Sequence, residues 1–342
     1  MQRVTIVGLG LIGASIGLGL RKWANEQGQR GALEVVGFDI ELLHQNEAKR
    51  IKAVDRTTWS LAEALREADL IVVATPPSAV PEVFDAIADY APDGAVVTDT
   101  CSTKAAVLAW AAERLPQRVH FVGGHPMAGK TQSIEGADAD LFRGAVWVVT
   151  PSLTASREAI ETVLGLVHLL GAEPRFLDPA EHDSYVAAIS HVPFLLSVAL
   201  MRVTSRDAAW REMGQLAAGG FRDATRLAAG SPRMYRDICA TNAEAIVRWL
   251  DAAIAELQDL RTLVAEGSDA ALERLQEIFE QARDARLEWA TQERRPGELA
   301  HDTAGELSQL SVGQHLQQLF LGGLMGRRRP RLRDDGKSSG ER

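Results

Sequence analysis

Gly8-Leu9-Gly10-Leu11-Ile12-Gly13 follows a β-branched run at 4–8 and opens an apolar helical pattern over 11–24. This context requires a strand, a tight turn and a helix in close succession. The first glycine permits the turn, the second lets the backbone approach a pyrophosphate, and the third lets helix and strand pack closely. The amides at Leu11 and Ile12, in the helix's first turn, then face the anion, where the helix terminus has no internal acceptors. Gly8, Gly10, Leu11, Ile12 and Gly13 are therefore candidate cofactor contacts.

The pattern continues along the first half. Runs at 34–39, 69–75, 95–99, 120–122, 145–150 and 175–177 read as strands, and 41–50, 60–67, 78–90, 103–114 and 155–170 carry helical periodicity. Such alternation predicts an α/β Rossmann-type domain over 1–177, with a mostly parallel sheet between helices. Asp178-Pro179-Ala180-Glu181 then supplies an N-cap, a proline at the first helical position and a glutamate to close a capping box. Ser231-Pro232 opens a helix expected to run to about Glu266, and another spans 269–291. The region 178–292 is thus expected to be an all-α domain whose apolar faces pair two subunits as a homodimer.

The remaining 293–342 reads as a polar tail. Leu307, Leu310, Leu316, Leu319, Phe320 and Leu324 trace one face of a short helix beside basic residues from Arg327 to Arg333, a pattern also seen at membrane surfaces. Gly313, Gly322 and Gly323 interrupt it, so a largely disordered tail is expected rather than a membrane contact. A net charge of -9 over 342 residues opposes nucleic-acid binding, whose footprint is basic. Cys101 and Cys239 form no disulfide framework and no metal-ligand spacing, so no metal is expected. With no signal-like segment at the N-terminus and apolar runs such as 194–201 short of a bilayer's thickness, a cytoplasmic protein is expected.

Three further places carry chemistry. Asp39 ends the second strand, where a carboxylate accepts hydrogen bonds from ribose hydroxyls and repels a 2′-phosphate. With Glu41 beside it, NAD is expected over NADP. Thr75 closes the strand 69–75 at the same sheet edge and is a candidate cofactor contact. Ser102, in Asp99-Thr100-Cys101-Ser102-Thr103-Lys104, either caps the next helix or meets a ligand beyond the strand end. His125, in Gly123-Gly124-His125-Pro126-Met127-Ala128-Gly129, reads as a loop imidazole. It is either satisfied by its own backbone or poised to take a proton from a substrate alcohol.

These motifs together resemble the prephenate/arogenate dehydrogenase family of tyrosine biosynthesis. The resemblance extends over 1–290 and includes His182-Asp183, Ser190-His191-Val192-Pro193, Gly219–Arg226, Met234–Ile238 and Asn242. It implies NAD-dependent oxidative decarboxylation of a cyclohexadienyl substrate, prephenate or arogenate, in a cleft between a Rossmann domain and a helical dimerisation domain. It also implies His125 as base, Ser102 assisting it, Arg226 binding a substrate carboxylate and His191 lining the site. Phe194 stands where many members carry a second histidine, which bears on how the substrate side chain is held. Two other readings compete: a Rossmann dehydrogenase for a small hydroxy acid, and a non-catalytic NAD-sensing protein.

Overall fold

The computed structural model describes residues 2–28, 31–130 and 132–293. The tail expected beyond Glu293 lies outside them. Eight strands form one sheet: β1 (Gln2–Val7), β2 (Leu33–Phe38), β3 (Arg56–Thr57), β4 (Leu70–Val73), β5 (Val96–Asp99), β6 (His120–Pro126), β7 (Val146–Pro151) and β8 (Glu173–Phe176). Their order is β3-β2-β1-β4-β5-β6-β7-β8. Neighbours from β3 to β6 are parallel. β7 runs antiparallel to β6, and β8 follows β7 in parallel.

All four β4 side chains are buried, because helices cover both faces of the sheet. The period of two sends Leu70 and Val72 to one core with Val4, Ile6, Ile16, Leu20 and Trp147. Ile71 and Val73 join the other core, with Val7, Phe84, Val97 and Phe121. The chain leaves β1 toward β2 on one side and returns to β4 on the other. The crevice at the carboxyl ends of β1 and β4 is therefore the switch point at which such sheets bind ligands.

Four expectations are corrected. The strand expected at 120–122 continues through His125 to Pro126, where His125 pairs with Val148. The two glycines before it do not make a turn. A Cβ on Gly123 would lie 2.4 Å from Thr150 Oγ1, and one on Gly124 would lie 2.7 Å from the Asp99 carbonyl oxygen, so both permit close strand packing. The short edge strand β3 was not anticipated, since its two residues are polar and half-buried. The helix expected from 231 to 266 is two, Pro232–Thr241 and Ala243–Glu266, separated by Asn242 at φ -137°. Finally, Pro179–Ser205 forms one 27-residue helical stretch whose most apolar 18-residue window has mean hydropathy 1.8, long and apolar enough to cross a bilayer by those measures alone. Here it carries buried His182, Asp183 and His191 into contact with the rest of the protein.

Asp178 caps that stretch through Ala180 N and Glu181 N. A π-helical turn, Ala187–His191, interrupts it ahead of Pro193, whose missing N–H and ring displace the regular ladder. The helical half has only a small core of Ala187, Phe194, Ile238 and Ile246. Trp249, Ile254, Leu257, Leu272, Phe279 and Leu287 remain exposed on its two long helices, Ala243–Glu266 and Asp269–Glu293.

Candidate active site

The turn after β1 has the properties a pyrophosphate requires. Gly8 sits at φ +97°, open to glycine at little cost, and a Cβ there would meet the Ala74 carbonyl oxygen at 2.4 Å. On Gly13 a Cβ would strike the Gly8 carbonyl oxygen at 1.9 Å, whereas beside Gly10 nothing lies within 4 Å. Two glycines thus serve packing and the middle one leaves a face open. Helix Leu11–Glu26 begins there with no side-chain cap, leaving its first amides, including those of Leu11 and Ile12, to face the opening.

Asp39, 8% exposed just beyond β2, accepts hydrogen bonds from Leu9 N at 2.7 Å and Glu41 N at 2.8 Å. Its carboxylate is thereby held against the glycine turn, with lone pairs left for a further donor. Thr75 stands beside Gly8, and its buried hydroxyl oxygen has no partner among the described residues. An open glycine face, uncapped amides, a fixed carboxylate and an orphaned hydroxyl fit a dinucleotide. When bound, that group supplies the hydride acceptor.

Beyond β5 lies a buried ionic knot. Lys104, fully buried, donates to Asp99 and, at 2.7 Å, to the Gly124 carbonyl oxygen. Asp99 also accepts from Gly124 N at 3.0 Å and Cys101 N at 2.9 Å. These bonds fix the backbone that leads into His125. Ser102 is half-buried in the same turn and caps nothing, because helix Ala105–Arg114 has no side-chain cap of its own. The cap comes from the other half of the protein: Asp183 accepts from Lys104 N at 2.7 Å and Ala105 N at 2.9 Å.

Asp183 also accepts from His182 Nδ1 at 2.8 Å, and His182 Nε2 lies 2.9 Å from His125 Nδ1. The order of donors follows. A carboxylate only accepts, so His182 carries its proton on Nδ1. Neutral His182 then offers a lone pair at Nε2, and His125 donates to it from Nδ1. His125 Nε2 is left as an acceptor. Burial, then repulsion from the charged form of His182, from Lys104 and from the charged form of His191, hold the His125 pKa well below the usual imidazole value. It therefore waits in the neutral, proton-accepting form at physiological pH.

His191 completes the cluster. Fully buried, it lies 3.2 Å through Nδ1 from Asn242 Nδ2, and the same amide nitrogen donates to the Asp183 carbonyl oxygen at 2.8 Å. Burial lowers its pKa to about 4, with His182 also lowering it and Asp183 opposing. Phe194 is 3% exposed and stacks on Tyr235, ring centroids 3.9 Å apart. Tyr235 donates to the Leu227 carbonyl oxygen at 2.7 Å, and Ala228 N donates to Ser197 Oγ at 3.0 Å. Together they pin the turn Arg226–Ala229 to helix Val192–Ser205.

His125, His182 and His191 thus lie in one cluster at the junction of the two halves. Arg226 does not join it. Its side chain is exposed and makes no ion pair among the described residues. Sequence reasoning assigned His191 to the site and no task to His182, Asp183, Lys104 or Asn242. The available signal was an acid directly after a histidine on a strongly capped helix start.

The neutral histidines also set an acid limit on folding. Their folded pKa values lie below the ordinary 6.5, so between the two values the unfolded chain binds protons that the native state refuses. Stability is full above about pH 6.5 and is lost as pH falls. His191 alone, at about 4 against 6.5, is expected to cost about 2 kcal/mol by pH 5. Denaturant midpoints at pH 7.5 and 5 measure this; equal midpoints would show that the imidazoles are not held neutral.

A dinucleotide fold whose strands end at a proton-accepting imidazole defines an NAD-dependent oxidoreductase of the two-domain dehydrogenase class. The nucleotide-binding domain profile of prephenate dehydrogenase matches residues 19–175, and the profile of its dimerization domain matches 178–281. The chain belongs to the prephenate dehydrogenase family. It is similar to a prephenate dehydrogenase of Bacillus subtilis, 35% identical over 83% of this chain and 75% of that protein. A cyclohexadienyl dehydrogenase of Zymomonas mobilis is 29% identical over 84% of this chain and 95% of its own length. The crystal structure of the Aquifex aeolicus prephenate dehydrogenase with hydroxyphenyl propionate and NAD+ superposes with TM-score 0.74. That pair is 26% identical and covers 83% of this chain and 98% of the other.

Proposed function

We propose that the protein catalyses oxidation of prephenate by NAD, with loss of carbon dioxide, to 4-hydroxyphenylpyruvate in tyrosine biosynthesis. The observation that carries this reading is the chain Asp183–His182–His125, which leaves His125 Nε2 as an acceptor near the carboxyl end of β6, on the sheet edge that also carries the dinucleotide crevice. A hydride leaves the ring carbon that bears the hydroxyl, and the hydroxyl proton goes to His125 Nε2. The bond to the ring carboxylate breaks, carbon dioxide departs, its electron pair makes the ring an aromatic phenolate, and His125 Nε2 returns the proton to the phenolate oxygen. The imidazolium that forms is stabilised through His182 by Asp183.

In this reading Ser102 supports the reacting hydroxyl, while Gly8, Gly10, Leu11, Ile12, Gly13, Asp39 and Thr75 hold NAD. Asp39 and Glu41 disfavour a 2′-phosphate, which supports NAD over NADP. Arg226 binds a substrate carboxylate through paired guanidinium donors. The exposed apolar faces of Ala243–Glu266 and Asp269–Glu293 support a homodimer, and the acidic balance and free thiols support a cytoplasmic setting.

The test follows NADH or NADPH formation by purified protein with prephenate or arogenate, each with NAD or NADP. Reduction of NAD by prephenate is expected, and silence in all four mixtures would overturn the reading. Arg226→Ala is expected to raise KM roughly tenfold to a hundredfold with little change in turnover, as for loss of a charged hydrogen-bond donor. An unchanged KM for both substrates would remove Arg226 from the site.

A further inference from the structure

We propose that Asn242, by locking the tautomer of His191, makes the cleft prefer a hydrogen-bond acceptor on the substrate side chain. The keto acid of prephenate would thus be chosen over the ammonium of arogenate. This rests on the cyclohexadienyl dehydrogenase reading and adds to it the basis of substrate choice.

The argument starts from Asn242, which ends helix Pro232–Thr241 and is 7% exposed. An amide can present either its oxygen or its nitrogen, but one neighbour here removes the choice. The Asp183 carbonyl can only accept, so the atom 2.8 Å from it is the nitrogen. The same nitrogen faces His191 Nδ1 at 3.2 Å. His191 Nδ1 must then accept, and the ring proton sits on Nε2.

That N–H is buried and has no partner among the described residues. An unpaired buried donor is costly, and folded proteins rarely keep one without a use. Through Asn242 the ring is tied to Asp183, whose carboxylate holds the His182–His125 pair, so His191 belongs to the same buried cluster as the base. At the α-position of the side chain a fixed N–H on a neutral ring pairs with a keto oxygen and opposes an ammonium, which brings only donors; the carboxylate is common to both substrates and does not discriminate. Phe194 cannot offset this, since its ring is stacked on Tyr235, whose hydroxyl is already engaged with Leu227.

Three measurements test the inference. The first is the tautomer of His191, read by NMR of protein labelled with ¹⁵N-histidine. The Nε2–H form is expected, and an Nδ1–H form would overturn the proposal. The second uses product-type ligands and needs no turnover: calorimetry with NADH present, comparing 4-hydroxyphenylpyruvate with tyrosine. Tighter binding of the keto acid by roughly tenfold or more is expected, and equal or reversed affinities would overturn it.

The third is kcat/KM for prephenate and arogenate in Asn242→Asp and His191→Phe. A carboxylate at 242 accepts from His191 Nδ1 and turns Nε2 into an acceptor. The prephenate-to-arogenate ratio should therefore fall roughly tenfold or more. His191→Phe should lower kcat/KM for prephenate more than for arogenate. A ratio unchanged in both variants, as a purely structural role predicts, or a change confined to KM for NAD, would overturn it. Failure of both substrates to reduce NAD would instead sink the dehydrogenase reading, because the tautomer and calorimetric results do not depend on turnover.

Discussion

His125→Asn is expected to lower turnover roughly 10²–10⁴-fold, the range for loss of a positioned general base, while KM for substrate changes little. Asparagine keeps a polar side chain of similar reach, so hydrogen bonding to the substrate hydroxyl can persist. It has no site that takes a proton near neutral pH. Because burial and neighbouring charge hold the His125 pKa well below the ordinary value, the wild-type base stays available on the acid side of neutrality. The acid limb of kcat/KM should therefore lie below pH 6.5 in the wild type. It should be absent in the variant. Turnover within a few-fold of wild type would remove His125 as the base.

Asp183→Asn is the second large effect. In a hydrolase triad, an amide in place of the buried carboxylate costs about 10⁴ in turnover by favouring the wrong tautomer. Here one more imidazole separates the carboxylate from the base, so a loss of roughly 10²–10³ is expected. Three donors converge on Asp183: Lys104 N, Ala105 N and His182 Nδ1. An amide offers them one oxygen and turns an N–H₂ toward the rest. The cap across the two halves weakens as well, by about 1–2 kcal/mol, or a few degrees in Tm. The pH profile separates the two consequences. Loss of the relay moves the acid limb to lower pH as His125 becomes a weaker base, whereas a purely structural defect lowers the plateau and leaves the limb in place. Normal turnover with a lowered Tm would reduce Asp183 to a cap.

Much of the dinucleotide half was legible because its signals are local. Gly8, Gly10 and Gly13 constrain three adjacent steps of chain, and Asp39 ends the neighbouring strand, where the carboxylate meets Leu9 N. The Asp178-Pro179 start was equally plain, since a cap and a proline act within one turn. His125 was recognisable as a chemical residue but misplaced in a loop. Gly123 and Gly124 usually mark turns, and only the contacts with Thr150 and Asp99 reveal that they are missing side chains inside a strand.

The break at Asn242 was hidden for a related reason. Apolar periodicity continues across it from Ile238 to Ile246, and what ends the helix is a bond to the Asp183 carbonyl 59 residues away. Arg226 is legible only through the family motif. Its place in the family motif suggests an arginine at the site, yet in a single chain it stands exposed, outside the histidine cluster.

By itself, then, the sequence determined the strand–helix alternation of the first half, the dinucleotide turn and the residues able to do chemistry. Each of these depends on groups within a few residues of one another. The tertiary structure alone decided which nitrogen of which histidine holds a proton. That depends on donors and acceptors brought from β6, helix Pro179–Val186 and Asn242, and no local pattern records which of them will meet.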